Sequence, residues 1–190
     1  MTGRLRIAVI IGSTRAGRAG EAVGRWFAEH AARRDDLAVD LLDLAEYAFP
    51  GRYPERATPA MRAFTGAVGC AEAFVVVTPE YNRSFPASLK QAVDYAYDEW
   101  QAKPVGFVAY GSGSRGLHAV EQLRTVFCAL HAMTVRDWVG LDLLGDAGFT
   151  PGGRPRDTDD RLRSVAAVLD QLTWWGRALR DARRARPYVS

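Results

Sequence analysis

The stretch that most constrains this chain is an apolar run that passes through a short polar loop into a helical pattern. Residues 7–11 are five consecutive apolar residues, which is typical of a parallel strand buried on both faces. A small polar loop follows as far as Arg18, and the helical pattern begins near Ala19. Free backbone N–H groups and the positive end of the helix dipole converge at such a junction. The stretch therefore predicts an anion site, and we expect the bound group to be a phosphate.

The loop residues restrict which phosphate can bind. Gly12 and Gly17 have the spacing of a Walker loop, but Arg18 and Ala19 stand where that loop needs a Lys and a hydroxyl residue. The dinucleotide fingerprint also fails, because Thr14 stands where its second glycine should be. A single terminal phosphate, as in mononucleotide-binding folds, fits the polar side chains of Ser13, Thr14, Arg15 and Arg18. An ordinary βα turn that uses glycine for backbone freedom stays open as the alternative.

Strand and helix patterns alternate along the rest of the chain, which predicts an α/β fold with an open sheet covered on both faces. With a phosphate loop after the first strand, we expect a single domain over residues 1–190. Its architecture would be a flavodoxin-like three-layer sandwich with a five-stranded parallel sheet in the order 2-1-3-4-5. The predicted strands are 7–11, 37–44, 73–78, 105–110 and 134–139, the predicted helices are 21–33, 60–70, one that begins at Pro86, 117–130 and 159–183, and the longer loops are 45–59 and 141–156.

In such a sheet the ligand lies beyond the carboxyl ends of the strands, here between strands one and three. After the third predicted strand, residues 79–86 read PEYNRSFP, a loop made rigid by a proline at each end that presents Tyr81, Asn82 and Ser84 to a planar ligand. After the fourth strand, residues 111–116 read GSGSRG, and three glycines allow the backbone to approach a ligand closely. A capped helix start and a flexible turn are the alternatives for these two loops.

Composition limits the remaining possibilities. At 190 residues with 48% hydrophobic residues, the chain suits one well-filled domain. It shows neither a signal-peptide pattern nor an apolar segment of the roughly 20 residues that a membrane span needs, so we expect a cytoplasmic protein without membrane association. We predict that Cys70 and Cys128 are buried reduced thiols and that the chain holds no metal.

The charged residues are dominated by arginine. Arginine and lysine together number 25 and the formal net charge is +3, but only Lys90 and Lys103 are lysines. The arginine-rich end, residues 177–186, is interpreted as the solvated face of a last helix rather than as a nucleic-acid patch, and we expect no nucleic-acid partner.

Together the three loops resemble those of the NADPH-dependent FMN reductases, a flavodoxin-like family that includes azo, quinone and chromate reductases. GSTRAGR at 12–18 resembles the FMN phosphate loop of that family. PEYNRSFPASLKQAVDY at 79–95 resembles the signature that holds the isoalloxazine ring, and GSGSRGLHA at 111–119 lies where the pyrimidine end of the ring is wrapped. The similarity covers roughly residues 5–140, and the second motif is its most specific part.

The resemblance implies an FMN-dependent NAD(P)H oxidoreductase in which hydride passes from the nicotinamide to flavin N5 and then to a second acceptor such as free flavin, a quinone or an azo compound. Because the chemistry lies at N5, no catalytic side chain is implied. FMN would be the cofactor and NADPH or NADH the electron donor. A homodimer or homotetramer is implied as well, with Tyr95, Tyr97 and Trp100 as candidate contact residues. A non-enzymatic FMN-binding electron carrier or redox sensor remains the alternative.

The resemblance also implies which residues bind the cofactor. Ser112 and His118 depart from residues that are common in the family, glycine and arginine respectively, and Arg83 and Arg115 are less usual. These departures leave the nucleotide preference open. The implied cofactor-binding residues are Ser13, Arg15, Gly17, Arg18, Pro79, Glu80, Tyr81, Asn82, Ser84, Gly111, Ser112 and Gly113.

Overall fold

A computed structural model describes residues 3–143 and 148–189. Across these ranges, five parallel strands form one sheet in the order β2-β1-β3-β4-β5, which confirms the predicted order. The elements are β1 (Leu5–Ile11), α1 (Gly20–Ala32), β2 (Leu37–Asp43), α2 (Pro59–Cys70), β3 (Ala73–Pro79), α3 (Ala87–Tyr95), β4 (Pro104–Gly111), α4 (Leu117–Ala129), β5 (Met133–Asp142) and α5 (Asp159–Ala185), with short 3₁₀ turns at Leu44–Glu46 and Asp98–Trp100.

The sheet is covered on both faces, as its nearly continuous apolar strands require. Helices α1 and α5 pack on one face, where Trp26, Phe27 and Leu172 are fully buried. Helices α2, α3 and α4 cover the other face, with Phe64 and Phe127 in its core. The chain therefore leaves β1 toward one face and leaves β3 and β4 toward the other.

Element boundaries differ from the sequence prediction by a few residues. Strand β5 runs to Asp142, two residues into the segment predicted as a loop, and part of that predicted loop, residues 144–147, lies outside the described residues. Pro86 is the N-cap of α3 rather than its first residue. The side chain of Ser84 does not cap α3, because its hydroxyl donates to Oε1 of Gln122 at 2.6 Å.

Two predictions about burial are wrong. Cys70 and Cys128 are exposed rather than buried, because the buried faces of α2 and α4 near these helix ends are formed by Val68 and Phe127. The arginine-rich end is not uniformly solvated. Arg180 is only 4% exposed and contacts Glu72 at 3.4 Å, and Arg183 donates to the carbonyl oxygen of Ala102.

The aromatic residues near the end of α3 are also arranged differently from the expectation. Trp100 is fully buried, and Tyr95 is buried with its hydroxyl donating to the Pro50 carbonyl at 3.2 Å. Tyr97 is 55% exposed because α3 ends at Tyr95 and Ala96 is extended. Of the three aromatic residues, only Tyr97 remains available to a second subunit.

Glycines on two helices provide a test of how tightly the layers pack. A Cβ atom at Gly176 of α5 would lie 2.6 Å from a methyl group of Leu5, which is itself fully buried in β1. We expect Gly176→Ala to lower the free energy of unfolding by about 1–3 kcal/mol, since the overpacked core must move. Urea unfolding followed by circular dichroism measures the change.

Gly66 of α2 is the matched control, because a Cβ atom there would meet nothing within 4 Å. Gly66→Ala should raise the free energy of unfolding by about 0.5–1 kcal/mol through better helix propensity. Equal effects of the two substitutions would contradict the close contact between α5 and β1.

Candidate functional site

A cavity of about 440 Å³ opens at the carboxyl ends of β1, β3 and β4. The cavity lies at the topological switch point, because β1 is followed by a helix on one face of the sheet and β3 by a helix on the other. All three loops that the sequence singled out contribute to its wall. The lining residues are Arg15, Ala16, Gly17, Arg18, Ala19, Pro79, Glu80, Tyr81, Tyr110, Gly111, Ser112 and Leu143.

The first loop turns sharply before α1. The backbone N–H of Arg18 donates to the carbonyl oxygen of Arg15 at 3.3 Å, and Gly17 has a φ of +67°, which glycine adopts without steric cost. Helix α1 then begins without a side-chain cap, because its N-cap residue is Ala19. Its first N–H groups therefore have no side-chain acceptor at this end, as an anion-binding helix terminus requires.

The two arginines of the first loop have different surroundings. Arg18 forms an ion pair with Asp43 at the end of β2, and both side chains are largely buried. Arg15 is exposed, and no carboxylate within the described ranges pairs with it. Arg15 is therefore the arginine whose charge is left for a ligand, whereas Arg18 fixes the loop to β2.

The second loop is a tight hairpin turn. Tyr81 and Ser84 exchange two backbone hydrogen bonds of 2.8 and 2.9 Å, and Asn82 and Arg83 between them have φ values of +49° and +64°. Positive φ at both central positions is the mark of a type I′ turn. Asn is favoured in such a turn, so Asn82 has a structural role whether or not it contacts a ligand.

The hairpin is fixed to α4 by side chains. Nε2 of Gln122 donates to the Arg83 carbonyl at 2.8 Å, and the Ser84 hydroxyl donates to Oε1 of the same Gln122. The Arg83 guanidinium lies 3.0 Å from Nε2 of His118. Ser84, which the sequence assigned to the ligand, is thus engaged with α4 and does not line the cavity.

Glu80 joins the second loop to the third. Its backbone N–H donates to the Tyr110 carbonyl at 2.8 Å, and its carboxylate accepts from the backbone N–H of His118 at 3.0 Å. The carboxylate thereby caps the N-terminus of α4, whose N-cap residue, Gly116, offers no side chain. This capping role was missed from the sequence, because Glu80 and His118 are 38 positions apart in the chain and no local pattern links them.

The third loop places its backbone at the cavity wall. Gly111 and Ser112 line the cavity, whereas the N–H of Gly113 turns away and donates to Oδ1 of Asp142 at 3.2 Å. Gly116 has a φ of +91°, and a Cβ atom there would lie 2.5 Å from the Cβ atom of Ala109. The loop therefore needs glycine at Gly116 for its own geometry.

Ser13 lies beneath the first loop rather than at the cavity surface. It is only 1% exposed, and its hydroxyl is 3.3 Å from the hydroxyl of Tyr81. This contact ties the first loop to the second. Of the predicted cofactor-binding residues, Ser13, Asn82, Ser84 and Gly113 do not line the cavity, and the others do.

Tyr110 is the functional candidate that the sequence analysis missed. Its side chain lines the cavity at the end of β4, and its buried hydroxyl forms no hydrogen bond of normal geometry, although the Ser13 side chain lies close enough to act on its pKa. The hydroxyl would lie 2.7 Å from a Cβ atom at Gly20, so the first residue of α1 must be glycine. Burial, with the nearby Tyr81 hydroxyl as a smaller cause, raises the pKa of Tyr110 well above its usual range, and the Ser13 side chain and Arg18 oppose this shift only in part. An unpartnered buried hydroxyl is costly and is a natural group for a ligand to satisfy.

Sequence comparison identifies the family to which these loops belong. The family model described as NADPH-dependent FMN reductase matches residues 5–144, a range that includes all three loops. The chain belongs to the NADPH-dependent FMN reductase family.

Individual relatives agree with this assignment. An NAD(P)H-dependent FMN reductase of Nectria sp is 34% identical over 121 residues, which cover 56% of this chain and 60% of the relative. The match to an NAD(P)H-dependent FMN reductase of Schizosaccharomyces pombe is 33% identical and spans 64% of each protein. The chain thus spans less than two thirds of the length of these two relatives. A quinone reductase of Pseudomonas putida is 31% identical over 183 residues, which cover 89% of this chain and 93% of the relative.

Solved structures show the same fold at low sequence identity. FerB of Paracoccus denitrificans, a flavoenzyme NAD(P)H:(acceptor) oxidoreductase, superposes with a TM-score of 0.76 at 17% identity and covers 92% of this chain and 98% of its own. This likeness supports the flavodoxin-like architecture alone.

Two further findings concern the described residues. No helix within residues 3–143 and 148–189 is long and apolar enough to cross a membrane. No group of three or more His, Cys, Asp or Glu side chains in these ranges could hold a metal ion.

The unpartnered hydroxyl of Tyr110 generates a prediction about stability. We expect Tyr110→Phe to raise the free energy of unfolding of the cofactor-free protein by about 1 kcal/mol, because the substitution removes an unsatisfied buried donor. Tyr95→Phe is the matched control, since that hydroxyl donates to the Pro50 carbonyl and its removal should cost about 1 kcal/mol. A loss of stability in Tyr110→Phe similar to that of the control would contradict the assignment of an unpartnered hydroxyl.

Proposed function

We propose that this protein is an FMN-dependent NAD(P)H oxidoreductase that passes electrons from a reduced nicotinamide nucleotide to a small-molecule acceptor. The observation that carries the proposal is the cavity at the switch point, where an uncapped helix terminus and an unpaired arginine meet two rigid backbone loops. Its volume of about 440 Å³ lies within the range of small-molecule and cofactor sites.

The first loop has the donors that the phosphate of FMN requires. The N-terminal N–H groups of α1 and the guanidinium of Arg15 would bind the phosphate oxygens, and the exposed Thr14 adds a hydroxyl. Arg18, paired with Asp43, would hold the first loop in place against β2. Tyr110 lines the cavity beneath these groups, with its hydroxyl buried beside the first loop.

The second and third loops suit the isoalloxazine ring. Pro79, Glu80 and Tyr81 form one wall of the cavity, and the backbone of Gly111 and Ser112 forms another. Because the carboxylate of Glu80 is engaged with the N-terminus of α4, this wall would meet the ring mainly through backbone groups and the Tyr81 ring. Walls of this kind bind and orient a planar group without requiring side-chain motion.

Bound FMN would supply the hydride-transfer and electron-transfer chemistry of the reaction. The residues of this chain would bind the phosphate, hold the ring against rigid loops and leave one side open to a nicotinamide and then to the acceptor. The electron donor would be NADPH or NADH, and the names of the relatives point to flavins, quinones and azo compounds as acceptors.

The decisive experiment is an anaerobic titration of the FMN-reconstituted protein with NADPH and then with NADH, followed by the visible absorption of the flavin. We expect at least one nucleotide to bleach the flavin, and air or a quinone to restore the absorption. Bound FMN that neither nucleotide bleaches would instead indicate an electron carrier or redox sensor. Failure to bind FMN would refute the proposal as a whole.

Arg15 provides the sharpest substitution test of the phosphate site. We expect Arg15→Ala to weaken FMN binding by about 1–3 kcal/mol through the loss of charge-assisted hydrogen bonds, measured by quenching of flavin fluorescence. Arg163→Ala is the control, because Arg163 is an exposed arginine of α5 that pairs with Asp160. Equal FMN affinities in the two variants would indicate that the phosphate does not bind at the first loop.

We also propose that the protein forms a homodimer or homotetramer. Trp174 and Trp175 stand next to each other on α5, 64% and 38% exposed, and Tyr97 is exposed near the end of α3. Exposed aromatic residues of this size favour a contact with a second copy. Sedimentation equilibrium should report a mass above the 20.9 kDa of one chain, and a monomer at every concentration would exclude the oligomer.

A further inference from the structure

A second cavity, of about 520 Å³, lies at the edge of the sheet opposite the candidate FMN site. Its wall comes from the residues that precede β4 and from the last turn of α5 with the chain beyond it. The lining residues are Asp98, Gln101, Lys103, Arg183, Pro187, Tyr188 and Val189. None of these residues belongs to the three loops described above, so the cavity is independent of the proposed oxidoreductase function.

Lys103 is a buried cation in the wall of this cavity. The residue is only 8% exposed, and its ammonium group donates to the carbonyl oxygens of Val68 and Gly69 at 3.1 and 3.0 Å. An ammonium group has three donors, so these two bonds leave one. No carboxylate in residues 3–143 or 148–189 lies within ion-pair distance of Lys103, although buried charges are normally paired.

Arg183 is the second cation of the wall. Its guanidinium donates to the Ala102 carbonyl, which leaves other N–H donors of its planar fork. Its side chain forms no ion pair with any described carboxylate. Burial lowers the pKa of Arg183, the attraction of Glu72 opposes this shift, and the neighbouring Arg180 and Arg184 lower the pKa further.

Among residues 3–143 and 148–189, no carboxylate forms an ion pair with Lys103 or Arg183, and only more distant carboxylates act on them. Burial is the main cause that lowers the pKa of Lys103 to about 8, and repulsion by Arg183 is the next. Glu72 and Glu99 attract the ammonium group only from beyond ion-pair distance, and Glu72 already contacts Arg180. Asp98, the carboxylate among the described lining residues, accepts a hydrogen bond from the side chain of Gln101 at 3.1 Å.

We propose that this cavity is a second ligand site, which binds a small dianion such as inorganic phosphate between Lys103 and Arg183. A point-charge ammonium and a planar guanidinium fork are the donors that bind phosphate and carboxylate groups in proteins. A dianion would form ion pairs with Lys103 and Arg183. It would also accept hydrogen bonds from the N–H groups of both side chains that have no other acceptor among the described residues. Protonated Lys103 binds a dianion better than neutral Lys103 does, so affinity falls as the pH rises through about 8. Affinity also falls at acidic pH, where inorganic phosphate becomes a monoanion.

The two lysines of the chain make a direct test possible. Selective ¹³C,¹⁵N-lysine labelling should give two side-chain NMR signals, one from Lys103 and one from Lys90, an exposed residue that pairs with Asp94. We expect phosphate to shift the Lys103 signal saturably and to raise the pKa of Lys103, while Lys90 stays unchanged. Malonate in place of phosphate shows whether charge alone or a tetrahedral group is recognised. Sodium chloride at matched ionic strength should not reproduce the effect, and an equal effect of chloride would overturn the proposal.

Variants of the last turn of α5 provide the second arm. Arg183→Gln should weaken phosphate binding about tenfold, because a charge-assisted contact is lost. Arg184→Gln removes the same charge from an exposed neighbour that does not line the cavity, and it should retain affinity within about threefold. Circular dichroism establishes that both variants are folded. Unchanged affinity in Arg183→Gln, or an equal loss in both variants, would refute the site.

Discussion

The parallel pairing of β1 with both β2 and β3 is the constraint on which the rest of this structure depends. Because β1 lies between these strands, its own connection must cross one face of the sheet while the connection of β3 crosses the other. The two helices diverge, and a crevice opens at the carboxyl ends of the strands. The backbone N–H of Gly12 still donates to the Val77 carbonyl at 2.8 Å, so the ladder continues to the edge of the cavity and the first loop starts from a fixed point.

The three loops at this crevice are held by one another rather than by the sheet alone. Glu80 bonds to the end of β4 through its backbone and to the start of α4 through its carboxylate. The hydroxyl contact between Tyr81 and Ser13 joins the second loop to the first. A site whose walls are fixed before a ligand arrives loses little conformational entropy on binding. This arrangement suits a planar cofactor, which gains orientation from rigid walls.

The sequence predicted the fold well because the fold rests on local signals. Apolar β-branched runs and amphipathic helices are visible in single segments, and a phosphate loop after the first strand favours one sheet order. The site was predicted less completely because its details depend on contacts between distant segments. Ser84 is engaged by Gln122, and the Tyr110 hydroxyl is left unpartnered. The burial of Cys70 and Cys128 was predicted from residue type, which does not show which side of its helix each residue occupies, and both are exposed.

Arginine is so abundant in this chain that its presence near a loop carries little information by itself. What distinguishes one arginine from another is whether a carboxylate neutralises it. Arg18 and Arg180 have such partners and act within the fold, whereas the described carboxylates leave Arg15 and Arg183 without an ion pair. These two unpaired arginines line cavities at opposite edges of the sheet. The lack of an ion pair is not sufficient by itself, because Arg161 also pairs with no described carboxylate and donates to two backbone carbonyl oxygens within the fold. The candidates for anion binding are the arginines that combine an unpaired charge with a place in a cavity wall.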